Sequence, residues 1–123
     1  MFRLIVLTVC AVLFAQIAYA QQCGRFDNVN PPMRYLGKYI GKLEVEIVPQ
    51  NKVGEACRPY FEADKFAKPL TSDQYRCMLG CSVRRAFSCK IIMMDKPFLG
   101  ITPEQVYDHE LAHCRGWGAD HHH

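Results

Sequence analysis

Six cysteines, Cys23, Cys57, Cys77, Cys81, Cys89 and Cys114, lie within residues 21–123 and restrict the folding of this chain more than any other feature. A segment of that length buries only a modest core, and small exported domains usually add cross-links. An even number of cysteines in an oxidising compartment predicts three disulfides; six cysteines allow fifteen connectivities, and the spacing does not choose among them. A structural zinc site from Cys77, Cys81 and Cys89 is the competing use of the same residues, and export disfavours it.

Export is read from the first twenty residues. Arg3 gives a short positive start, Leu4 to Ile17 is an apolar run broken by Thr8 and Gln16, and Ala18-Tyr19-Ala20 is a small-x-small cleavage pattern. The run is shorter than the roughly 20 apolar residues of a membrane span. Residues 1–20 are therefore expected to be a signal peptide that takes Cys10 with it. Residues 21–123 should form one secreted or periplasmic domain with no stable membrane anchor. Of fifteen Lys and Arg, Arg3 falls in the leader, so fourteen face twelve Asp and Glu. Apart from Arg84-Arg85 the basic residues are scattered and not interleaved with aromatics, which argues against nucleic acid as a partner.

Along the mature chain, the Gly-, Pro- and Asn-rich stretch from Gln21 to Gly41 reads as an irregular lead-in pinned by Cys23. Leu43-Glu44-Val45-Glu46-Ile47-Val48 alternates apolar and acidic, the period of a strand with one buried face. Residues 50–70 read mostly as loop. Thr71 or Ser72 can cap a helix running to about Arg85, with Cys77 and Cys81 on one face and Tyr75, Met78 and Val83 toward the core. Cys89 to Met94 reads as a buried or edge strand. Thr102-Pro103-Glu104-Gln105 combines an N-cap Thr, Pro at the first helical position and Gln at the third. The helix should run from Pro103 to about Arg115 and end on Gly116 as its left-handed residue. The expected fold class is a small disulfide-stapled α+β domain, with a cysteine-rich helix packed on the C-terminal one.

That last helix carries His109-Glu110-Leu111-Ala112-His113, an H-E-x-x-H run. At about 100° per residue the two histidines lie about 40° apart on the helix surface. Two zinc ligands one turn apart with a carboxylate beside them suit a metal-activated water and its general base. Cys114 falls with Tyr107 and Leu111 on the far side, aimed at the core as a disulfide partner. Asp108 and Arg115 point roughly to solvent. An amphipathic core helix with two surface histidines is the plainer alternative.

His109-Glu110-x-x-His113-x-x-Gly116 resembles the first part of the metzincin signature, within the zincin metallopeptidases. The resemblance covers about Ile91 to His121. It implies zinc held by His109 and His113, Glu110 as general base, and a strand before the active-site helix. The pattern then departs from the family, because the position of the metzincin third ligand is Ala119, which cannot bind metal. Asp120 and His121 follow directly, and the glycines of Gly116-Trp117-Gly118-Ala119 make a return bend sterically cheap. His121 is the favoured third ligand, with Asp120 as the alternative or as a partner that orients an imidazole. A run of three histidines also fits a purification tag; the unbroken Gly-Ala-Asp-His turn favours His121 as native.

Trp117 should pack over the helix end rather than line a subsite. Tyr60, Tyr75 and Arg115 are conceivable oxyanion partners, and none is singled out. The expected function is zinc-dependent hydrolysis of amide bonds in a peptide or protein, or in the peptide cross-links of a cell wall. Ile91–Met94, if an edge, could hold an extended peptide by strand addition. A disulfide-rich binding or inhibitory protein with a structural or vestigial zinc site is the competing class.

Overall fold

The strand Ser88–Met94 (β3) is apolar and buried at every position from Ile91 to Met94, and the reason is its place in the sheet. It is the middle strand, flanked by Lys42–Val48 (β1) in parallel and Gly80–Arg84 (β2) in antiparallel register, giving the order β1-β3-β2. A strand covered on both faces needs apolar side chains on both, so the period-2 alternation disappears. Ile91, Ile92, Met93 and Met94 are all buried. The computed structural model describes Cys23 and residues 29–121; the expected signal peptide, and its cleavage before Gln21, lie outside the described residues.

The strand register separates the two faces. Cys89, Ile91 and Met93 share one face with Gly80 and Ser82 of β2, and Lys90, Ile92 and Met94 share the other with Cys81 and Val83. The helix Pro103–Cys114 (α3) covers the first face, bonded to it by Cys89–Cys114. The helix Gln50–Ala63 (α1) covers the second, bonded by Cys57–Cys81. The third disulfide, Cys23–Cys77, ties the N-terminal segment to the end of a short helix, Ser72–Arg76 (α2). The result is a small mixed α+β domain with three disulfides and a C-terminal helix. The Cys77, Cys81, Cys89 zinc site is thereby excluded, since each of these thiols is in a disulfide.

Several expectations are corrected. Residues 50–63 are helical, not loop: Val53, Ala56, Cys57, Tyr60 and Phe61 recur at helical spacing, and all pack in or against the core. Gly54 and Pro59 conceal this. Gly54 is there for close approach, because a Cβ on it would lie 2.0 Å from the Tyr75 carbonyl oxygen of α2. The helix begun at Thr71 does form a capping box with Gln74, but it ends at Arg76. Cys77 and Cys81 do not share a helix face; Cys81 is on β2 and the two bond to different elements. The partner of the C-terminal helix is therefore the β2–β3 sheet, not a cysteine-rich helix. Gly80 opens β2 because α3 passes so close: a Cβ there would meet Val106 Cγ1 at 2.7 Å and Glu110 Cγ at 3.2 Å.

Two further findings concern edges, and of the two readings of Cys89–Met94, buried or edge, the buried one holds. β3 is central, so Ile91–Met94 offers no free edge for a peptide. β1 forms over the expected residues, yet its apolar face is poorly covered. α3 lies over β2 and β3, leaving Val45 40% and Ile47 61% exposed. Among the described residues, no helix is long and apolar enough to cross a membrane. Three intramolecular disulfides fit an oxidising, extracellular setting.

Candidate metal centre

α3 starts as its sequence dictates. The Thr102 hydroxyl accepts from the Gln105 N–H at 3.2 Å, and the Thr102 N–H donates to Gln105 Oε1 at 2.9 Å, with Pro103 first in the helix. It ends equally clearly. Gly116 has φ +108°, its N–H donates to the His113 carbonyl, and the Trp117 N–H donates to the Ala112 carbonyl, both at 3.0 Å. This paired C-terminal closure reverses the chain toward the histidines. A second turn follows, with the His121 N–H on the Gly118 carbonyl at 3.0 Å and φ 55° at His121.

The two turns bring three imidazoles together. The Nε2 atoms of His109 and His113 are 3.2 Å apart, and that of His121 is 3.1 Å from each. Asp120 is exposed and outside this triangle. The tautomers follow from the other ring nitrogens. His109 Nδ1 lies 2.9 Å from the Val29 carbonyl oxygen and His113 Nδ1 lies 2.8 Å from that of Trp117. Carbonyl oxygens only accept, so both rings carry the proton on Nδ1 and turn the Nε2 lone pair inward. Two such lone pairs at 3.2 Å cannot bond each other; an electrophile between them satisfies both.

The donor set fits a cation well. A tetrahedral zinc with bonds of about 2.0–2.1 Å spaces its nitrogens about 3.3 Å apart, close to the triangle found. Imidazole suits several first-row ions, and three histidines close together could hold any of them. Burial lowers the pKa of His113, against the opposing Trp117 hydrogen bond. Burial, then the neighbouring His113, lowers that of His121. Both effects favour the neutral, ligating form. Trp117, only 3% exposed, backs the cluster: its ring is stacked on His113 and edge-on to His109 and His121. It packs at the helix end rather than presenting a free surface.

Glu110 lies in the row Val106, Glu110, Cys114 that faces the sheet, and is 7% exposed. Burial pushes its carboxyl up to about 7, opposed by a hydrogen bond from Ser82. A hollow of about 240 Å³ opens beside it, with His109, His121 and Glu110 on one side and Met78, Leu79 and Val106 among its apolar walls. Tyr60, Tyr75 and Arg115 do not line it. Arg115 donates to the Leu36 carbonyl instead of pointing free to solvent, and Asp108 is exposed.

Sequence reasoning missed two contributors. Ser82 falls inside the helix that the sequence predicts from Thr71 to about Arg85, and the Val29 carbonyl is a backbone group 80 residues from its partner, with no sequence signal. Comparison with protein families, with curated proteins and with solved structures finds no match to this chain.

Proposed function

We propose that this protein is an exported zinc peptidase, with His109, His113 and His121 holding the ion and Glu110 as general base. The reading rests above all on the Nε2 triangle, in which two rings are locked by backbone carbonyls with their lone pairs facing inward. A zinc ion bound there supplies Lewis acidity, polarising an amide carbonyl and making water nucleophilic near neutral pH. Glu110 removes a proton from the attacking water and returns it to the leaving nitrogen. In the metal-free chain burial alone raises this carboxyl to about 7, and a cation beside it favours the ionised form that accepts the proton. The Val29 and Trp117 carbonyls hold the imidazoles in register and raise their basicity.

The substrate is a peptide whose apolar side chain enters the hollow walled by Met78, Leu79 and Val106. β2 takes the docking role expected of Ile91–Met94. Among the described residues it pairs along one side only, with β3, and its Gly80 lines that hollow.

Metal analysis tests the ligand set. The purified protein is expected to hold one zinc per chain, Asp120→Ala to keep it, and His121→Ala to lose at least about tenfold in zinc affinity. The opposite pattern would move the third ligand to Asp120. Absence of zinc from the unaltered protein would overturn the reading. Stoichiometric zinc without hydrolysis of any peptide in a fluorogenic library would favour a disulfide-rich binding protein with a structural site.

A further inference from the structure

The far face of the sheet carries a second hollow of about 240 Å³, separate from the histidine cluster. Register places it under α1: Ser88 and Lys90 share the face of Ile92 and Cys81, and Cys81 is bonded to Cys57 of α1. Lys42, Glu44, Arg85, Ser88 and Lys90 line it together with Tyr60 of α1.

Three cations and one carboxylate therefore share a concave surface. Lys90 is fixed by Glu46 at 3.1 Å and by the Tyr60 hydroxyl at 3.4 Å. Lys42 and Arg85 have no ion-pair partner among the described residues. Nor do they hang from loose chain. The Arg85 N–H donates to the Ser88 carbonyl at 2.8 Å, and the Lys42 N–H to the Phe87 carbonyl at 3.1 Å. These bonds fix the backbone at both positions, and like charges gathered on one concave surface favour an anion between them.

We propose that this hollow binds a tetrahedral oxyanion carried as a phosphate or sulfate ester on a small molecule. The Arg85 fork suits two oxygens of one anion, and Lys42 supplies a second positive charge. The Ser88 and Tyr60 hydroxyls add neutral donors, and the Tyr60 ring gives the organic part an apolar wall. The site is independent of the peptidase reading, since none of its residues touches the imidazoles.

Amide chemical shifts, followed as inorganic phosphate, inorganic sulfate and glucose 6-phosphate are added at constant ionic strength, test this. Saturable shifts are expected at Lys42, Arg85, Ser88 and Lys90, with acetate giving none. K42Q combined with R85Q changes two exposed residues and is expected to weaken binding about tenfold per cation removed. Tighter binding of glucose 6-phosphate than of phosphate supports an ester ligand; equal affinity would overturn the ester and leave an ion site. Shifts that are non-saturable, unchanged in the variant, or centred on His109–His121 would overturn the site itself.

Discussion

Glu110→Gln is expected to abolish peptide hydrolysis, by about 10²–10⁴-fold, while zinc stays bound, because the change removes a proton acceptor and no ligand. The same substitution should strengthen the metal-free fold at alkaline pH. The Glu110 carboxyl titrates at about 7 in the folded chain against an ordinary value of 4.5. Below 4.5 the folded and unfolded states both hold the proton, so titration takes nothing from stability. Between 4.5 and 7 the unfolded chain releases a proton that the folded chain retains, and stability falls as pH rises. Above 7 the accumulated loss is about 3 kcal/mol. Gln cannot ionise. In chelator, urea melts should therefore show the variant more stable at pH 8 by about that amount and equal to the parent at pH 4. A bound cation beside the carboxylate reverses the effect by favouring ionisation. Retained hydrolysis in the variant would remove Glu110 from the proposed chemistry. A variant weaker at pH 8 without metal would contradict the burial argument.

Removing Cys23–Cys77 is expected to loosen the metal centre, whereas removing Cys57–Cys81 should weaken only the fold. Chain-entropy reasoning gives about 4 kcal/mol for the first and about 3.5 kcal/mol for the second, from separations of 54 and 24 residues. The difference lies in what each bond holds. Val29, whose carbonyl locks His109, stands six residues after Cys23, and Cys77 lines the hollow beside the histidines. Without that tether the Val29 carbonyl is lost as a fixed partner, and zinc affinity should drop about 10–100-fold. Competition with a chelator, well below the melting temperature of each double Cys→Ala variant, separates the two effects. Equal zinc affinity in both variants would mean that the tether does not orient His109.

Local signals in the sequence carried most of what proved legible. The α3 start, its Gly116 closure, the alternating strand β1 and the apolar strand β3 depend on neighbours a few residues apart, as does the capping box at Thr71. What was lost depends on tertiary contact. Gly54 reads as a helix breaker until the Tyr75 carbonyl is placed against it. The strand at Gly80 is hidden because a good N-cap says where a helix starts and little about where it stops. At the site, helical spacing accounts for the His109–His113 pair. The nearness of His121 depends on two consecutive turns, and the contributions of Ser82 and Val29 on sheet register and on a distant cross-link.

Trp117 has one more consequence. It is the only tryptophan in the chain, and its ring centre lies 5.0, 4.9 and 4.9 Å from those of His109, His113 and His121. Indole emission responds to charge at that range, so a proton or a cation arriving among the imidazoles changes the fluorescence directly. A metal titration of the unmodified protein, followed by its emission, is expected to report directly on what reaches the imidazole cluster.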